Sequence, residues 1–191
     1  ILYGSCRKID DSHDDFLARL CDEVEAKAND FEQRPSLLFM SGDQIYADDV
    51  ALSVGQNIEK IAQTLFGNER SFVNDLPSFS ERDSFIKKIS LSSDKSENHL
   101  AYLKEYLTMY LLTWSSALWQ SFPVDLSKEK RSKRKGIEKF SSSLKRVEKL
   151  LANTPSFMMI DDHDVTDDWN IHGRWVEQVW GKGKTDVEKL D

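Results

Sequence analysis

The sequence contains few of the residues and segments on which several protein classes depend. Cys6 and Cys21 are its two cysteines among 191 residues, which is too few for a disulfide framework. The apolar runs have the length of strands, which excludes a membrane-spanning helix of about 20 residues. No charged segment followed by an apolar one indicates a signal peptide, so a cytoplasmic location is favoured. Since Ile1 already lies in a strand pattern, we expect residues to be missing before it.

The chain also has fewer basic than acidic residues. Its 26 Lys and Arg against 33 Asp and Glu give a net charge of −7, which argues against a general nucleic-acid binder. One exception is the run from Lys128 to Lys135, where six of eight residues are basic. Such a run is typical of a nuclear-localisation or nucleic-acid patch, or of a solvated loop between two helices. Given the acidic chain, we favour the loop and expect no nucleic-acid partner.

Apolar patterns predict an α/β fold. Three apolar runs have the length of strands, at residues 1–5, 36–41 and 156–160. The first two enclose a helix expected from Ser12 to about Asn29, with Cys21 on its apolar face, which makes a parallel βαβ unit. Helical spacing predicts further helices over residues 50–66, 97–120 and 137–152. We therefore expect one sheet with a large helical insertion at about residues 51–153.

Two acidic segments each follow one of these strands. Asp43 comes directly after Gly42 at the end of the second run, and Asp161–Asp164 follows the third. Parallel strands bring their carboxyl ends to one edge of a sheet, so these segments should lie together. Five carboxylates fall within the eight residues 161–168, and they repel one another unless water or cations neutralise them. The pattern indicates a metal-dependent active site.

An aromatic and an imidazole side chain accompany the carboxylates. Tyr46 lies close enough to Asp43 to reach the same ion, and a phenolate suits ferric iron, although a core aromatic is the plainer interpretation. His163 beside Asp162 could supply a proton donor and a metal ligand, or both could belong to a hydrogen-bonded surface turn. The other histidines have no comparable neighbours. We expect His13 at a helix start and His99 exposed. His172 could line the site because it follows the second acidic segment, but a role outside the site is the plainer interpretation.

Three motifs together resemble a known family. Gly4-Ser5-Cys6-Arg7, Gly42-Asp43-Gln44-Ile45-Tyr46 and Asp161-Asp162-His163-Asp164 are similar to motifs of the PhoD-like alkaline phosphatases, a branch of the calcineurin-like metallophosphatases. The resemblance extends from Ile1 to about Trp169. It implies a metallophosphatase-like sheet with flanking helices, a phosphoester substrate, and a two-metal centre of divalent or trivalent ions, with iron and calcium expected.

The resemblance also implies a role for each matching residue. Cys6 and Tyr46 would bind iron, Asp43 would bridge the two metals, and Asp162 would bind the second metal.

Three further residues would act on the substrate. His163 would protonate the leaving oxygen, Asp164 would orient the His163 ring, and Arg7 would pair with phosphate oxygens. Asp164 stands where the family more often has Glu. The family also completes its site with later motifs of His, Asp or Asn ligands, whereas after Asp168 this chain offers only Asn170, His172 and the segment to Asp191, with no such motif. We therefore expect residues 1–191 to be a partial metallophosphatase domain.

Three hypotheses for function remain open. The first is a two-metal phosphatase or phosphodiesterase. The second is a non-catalytic metallophosphatase-like binding or scaffold module. The third treats Asp43–Asp49 as a calcium loop, but that segment lacks the glycine and terminal glutamate of an EF-hand. The sequence indicates neither the substrate nor the oligomeric state.

Overall fold

Three short parallel strands form one sheet. The structure is a computed structural model that describes residues 1–67, 81–89, 91, 93 and 95–167. Its strands are β1 (Leu2–Gly4), β2 (Leu38–Met40) and β3 (Ser156–Met158). They lie side by side in the order β1-β2-β3, and both pairs are parallel. The expectation of an α/β fold with parallel strands is confirmed at this level.

Helices make up most of the remaining described chain. They are α1 (Phe16–Ala26), α2 (Leu52–Phe66), α3 (Arg82–Lys88), α4 (Leu103–Trp114), α5 (Ser116–Ser121) and α6 (Arg131–Asn153). Two 3₁₀ turns, Ser96–Asn98 and Asp162–Asp164, complete the elements. Across the described residues, none of these helices has the length and apolar character needed to cross a membrane. His172 lies outside the described residues.

Helix α6 joins two hydrophobic cores. Its second half packs with α1 on one face of the sheet, where Cys21, Leu38 and Val147 are buried together. Its first half packs with α2 and α4, where Ile58 and Leu144 are fully buried. The helices expected as an insertion therefore pack in a hydrophobic core separate from the one beneath the sheet. Helix α6 contributes residues to both cores.

Several predicted helix boundaries were wrong. The single helix expected over residues 97–120 is divided, because Ser115 is extended and the Glu148 carboxylate accepts hydrogen bonds from the Ser116 backbone N (2.6 Å) and Oγ (3.0 Å). Helix α1 begins at Phe16 rather than Ser12, since Asp15 is its N-cap. Helix α6 begins at Arg131, so most of the basic run expected as a loop is helical.

One face of the sheet is open in the described part of the chain. Side chains alternate between the two faces of a strand, so Phe39 and Phe157 point away from α1 and α6, and their rings stack at 5.8 Å. Phe157 is 57% exposed and Ile160 is 62% exposed. The third apolar run is largely exposed among the described residues, because β3 lies at the edge of a sheet that these residues cover on one face.

Candidate metal-dependent active site

Two residues with unusual backbone conformations begin the site. Cys6 follows β1 with φ 59°, and Asp43 follows β2 with φ 51°. This left-handed region is uncommon for residues other than glycine, and residues strained in this way cluster at active sites. Hydrogen bonds from Cys6 N to the Gly42 oxygen (3.2 Å) and from Arg7 N to the Asp43 oxygen (2.8 Å) join the two segments. As a result, Cys6 Sγ lies 3.0 Å from Asp43 Oδ2.

Gly42 brings the second acidic segment against the first. Its φ of 122° is open to glycine alone, and a Cβ at this position would lie 2.4 Å from Asp161 Cβ. The 3₁₀ turn Asp162–Asp164 follows at once and is capped by the Asp161 side chain. The absence of a side chain at residue 42 therefore allows this turn to lie beside Asp43.

Five of the predicted site residues come together at this edge of the sheet. One possible ligand atom from each of Asp43, Asp162 and His163 lies within 4.8 Å of the others. The Tyr46 ring stacks on the His163 ring with centroids 4.3 Å apart. Burial raises the pKa of Tyr46, so its phenol needs a nearby cation to ionise.

One carboxylate oxygen at the centre of the cluster is unpaired. Asp43 is only 7% exposed, and its Oδ1 has no hydrogen-bond partner among the described residues. Burial raises the pKa of Asp43, and the charges of Asp162 and Asp161 add to this effect, although Cys6 and His163 oppose it. A buried oxygen without a partner is costly unless a cation or water satisfies it. The donor set of carboxylates, thiol, phenol and imidazole fits transition-metal ions.

Asp48 holds the His163 ring, a role expected of Asp164. Asp48 Oδ1 lies 2.8 Å from His163 Nδ1, and Asp48 is only 4% exposed. Although burial alone would lower the pKa of His163, the hydrogen bond with Asp48 and its charge raise it. Nothing in the sequence singled out Asp48 except its place in the first acidic segment.

Asp164 lies behind the site. Its Oδ1 accepts hydrogen bonds from the Ile45 backbone N (3.0 Å) and the Tyr110 hydroxyl (2.7 Å), and its Oδ2 accepts one from Asp161 N (2.9 Å). The residue is 3% exposed. The expectation that it orients His163 is therefore corrected: Asp164 ties the two acidic segments to α4, because both of its oxygens are engaged there.

Arg7 is also not brought to the cluster. Its guanidinium lies between the rings of Trp114 (4.5 Å) and Phe140 (4.4 Å). Nη2 donates to Asp15 Oδ2 at 2.7 Å, and Nη1 donates to the Thr113 carbonyl. The expectation that Arg7 binds phosphate is corrected, because these partners already engage its guanidinium.

Two further expectations concern His99 and the segment Asp43–Asp49. His99, expected to be exposed, is fully buried, and its Nε2 lies 2.9 Å from Thr166 Oγ1. Asp49 contacts Lys8 and Lys95; although burial alone would raise the pKa of Asp49, these hydrogen bonds lower it to about 2. Asp43, Asp48 and Asp49 thus have different partners, which argues against a single calcium loop.

A cavity opens beside the cluster. Its volume is about 140 Å³, and Cys6, Asp11, His13 and Phe16 are among the residues that line it. No family model, curated protein or solved structure matches this chain. Its function is therefore inferred from the chemistry of the site and from the resemblance of its motifs.

Proposed function

We propose that this protein is a metal-dependent phosphoester hydrolase of the PhoD-like metallophosphatase type. The observation that carries the proposal is Asp43 Oδ1, a buried carboxylate oxygen without a hydrogen-bond partner in the described chain, at the centre of a group of metal-binding side chains. Strained backbone at both Cys6 and Asp43 supports it, because such strain persists where the surrounding structure holds a residue for function.

Cys6, Asp43, Tyr46 and Asp162 are the residues that would hold the metal ions. Thiolate and phenolate ligands suit iron, while carboxylate oxygens also suit calcium. Bound there, metal ions would neutralise the charge on the phosphoryl oxygens and lower the pKa of a water molecule.

The chain's own residues supply the remaining chemistry. His163 is the proton donor to the leaving oxygen, since its raised pKa keeps the imidazolium available and Asp48 holds its Nδ1. Stacking of Tyr46 on the other side restricts rotation of the ring. The cavity beside Cys6 gives space for the leaving group of the phosphoester.

Metal analysis and a hydrolysis assay test this proposal. Iron and calcium contents are measured by elemental analysis of the purified protein, and turnover is measured on one phosphomonoester and one phosphodiester. Asp43→Asn should lose both metal and activity. Asp22→Asn is the matched control, since Asp22 lies in an exposed ion pair with Arg146 and should change neither.

A spectroscopic variant separates metal binding from turnover. A thiolate or phenolate bound to ferric iron gives a visible charge-transfer absorption, which Cys6→Ser should shift or weaken while the far-UV circular dichroism is retained. A protein without bound metal, or an Asp43→Asn variant with unchanged metal content and activity, would instead support the non-catalytic scaffold.

A further inference from the structure

The basic run at the start of α6 directs most of its charge outward. Five exposed cations form this basic patch: Lys128, Lys130, Arg131, Arg134 and Lys135. None of the five forms an ion pair within the described ranges. Arg134 donates only long hydrogen bonds, at 3.5 Å, to the backbone oxygens of Ser127 and Glu129. The five cations of the patch therefore face solvent without an ion pair among the described residues.

The other two charged residues of the run turn inward. The Glu129 carboxylate accepts hydrogen bonds from Ser53 N (2.9 Å) and Ser53 Oγ (2.8 Å) at the start of α2. Lys133 Nζ lies 2.5 Å from Asp10 Oδ2 and 3.9 Å from Asp49 Oδ1. Glu129, the single acidic residue of the run, is thus bound to Ser53 and does not neutralise the cations of the patch.

Three cations further along the same helix are arranged differently. Lys139 pairs with Asp14 at 2.9 Å, Lys149 pairs with Glu25 at 2.5 Å, and Arg146 pairs with Asp22. These acids belong to α1 or to the segment just before it. These three cations are therefore paired with a neighbouring element, whereas the five of the basic patch form no ion pair among the described residues.

We propose that the basic patch binds an anionic phospholipid surface. The positive end of a 23-residue helix, with no acidic residue in its first turn, adds to the potential of the five cations. Beside them, Leu52 is 40% exposed and lines a shallow cavity together with Lys128. Cations next to an exposed aliphatic side chain suit the headgroup region of an anionic membrane.

A nucleic acid fits the patch less well. The run Lys128–Lys135 contains no aromatic residue on which a base could stack. A long nucleic acid would also extend beyond the patch over a protein of net charge −7. A membrane surface needs only the local charge, because attraction to anionic lipids falls off within a Debye length.

The start of α6 packs closely on the loop that follows Cys6. A Cβ added to Gly136 of α6 would lie 2.4 Å from the Asp11 carbonyl oxygen. Membrane binding depends on neither metal nor hydrolysis, so it can be tested independently of the proposed activity.

Vesicle co-sedimentation tests this proposal on the whole purified chain. Vesicles of phosphatidylcholine with about one third phosphatidylserine should bind the protein, and pure phosphatidylcholine vesicles should not. Binding should be lost when salt rises from about 0.1 M to about 1 M, where screening shortens the Debye length to about 3 Å. The triple variant Lys130→Gln, Arg131→Gln, Lys135→Gln should bind about a hundredfold more weakly, at about fivefold for each lost cation.

A matched triple variant at the three paired cations of α6 is the control. Lys139→Gln, Arg146→Gln, Lys149→Gln removes the same number of charges from the same helix and should retain vesicle binding. Equal loss in both triple variants would overturn the proposal, since net charge alone would then explain binding. It would also be overturned by no binding to either vesicle, or by tighter binding to a nucleic-acid duplex at equal phosphate concentration.

Discussion

His163 Nδ1 lies 2.8 Å from Asp48 Oδ1, and this contact joins residues that are 115 positions apart in the sequence. The pairing restricts the orientation of the imidazole beside Asp43 and Asp162. The second ring nitrogen, Nε2, lies 3.9 Å from Asp167 Oδ1. The proposed proton donor is therefore oriented by the first acidic segment rather than by its neighbour Asp164.

Removal of the imidazole or of its partner should reduce turnover to different extents. His163→Ala should lower kcat by about 10²- to 10⁴-fold, the usual contribution of general acid catalysis. Asp48→Asn should lower it by about 10- to 100-fold, as expected for a carboxylate that orients a functional histidine. Steady-state kinetics on a phosphoester measures both. Asp22→Asn is the control, since Asp22 lies in an exposed ion pair with Arg146; an equal loss in Asp22→Asn would contradict the role of Asp48.

Loss of the Arg7 guanidinium should affect stability rather than substrate binding. Arg7→Met leaves the Asp15 carboxylate buried without its cation, so the free energy of unfolding should fall by about 3 kcal/mol. Urea denaturation measures this change. Adding Asp15→Asn should cost less than the sum of the single variants, because the two side chains interact. Unchanged stability together with a raised KM would restore the role in phosphate binding.

Substitution of Gly42 should be poorly tolerated. Gly42→Ala places a Cβ 2.4 Å from Asp161 Cβ at a φ of 122°, and we expect a loss of about 3 kcal/mol or more in the free energy of unfolding. Gly4→Ala provides the comparison, because its Cβ would meet the flexible Met40 side chain at 3.2 Å. Thermal unfolding should show a clearly smaller shift for Gly4→Ala, and similar shifts would argue against the close approach at Gly42.

Burial of His99 predicts a loss of stability in acid. Burial lowers the pKa of His99 from 6.5 to about 4, so the unfolded chain takes up a proton at a pH where the folded protein does not. Stability contributed by the neutral ring is present above pH 6.5 and declines as the pH falls toward 4. From about pH 7 to about pH 5 this amounts to about 2 kcal/mol.

A variant isolates the contribution of His99 from that of the carboxylates. His99→Gln retains hydrogen-bonding groups but has no proton to take up in this range, so its free energy of unfolding should vary less with pH than that of the wild type. Denaturant unfolding at several pH values measures the two slopes. Parallel slopes would show that other groups account for the acid sensitivity.

Local patterns in the sequence predicted much of the fold. Apolar runs of strand length identified the three strands, and helical spacing located α2 and most of α6. The long helix from 97 to 120 was predicted as one element because Ser115 has no strong local signal. Its interruption depends on Glu148 of α6, which accepts the hydrogen bonds at the start of α5.

The sequence by itself determined that Cys6, Asp43 and the Asp161–Asp164 segment follow parallel strands, since strand ends meet at one edge of a sheet. Only the tertiary structure decided which carboxylate holds His163, where the Arg7 guanidinium lies, and which cations of α6 are neutralised. Those outcomes depend on contacts between side chains that are distant in sequence, such as Arg7 with Trp114 and Asp48 with His163. Local preferences set the elements, whereas burial and charge pairing between elements set the partners.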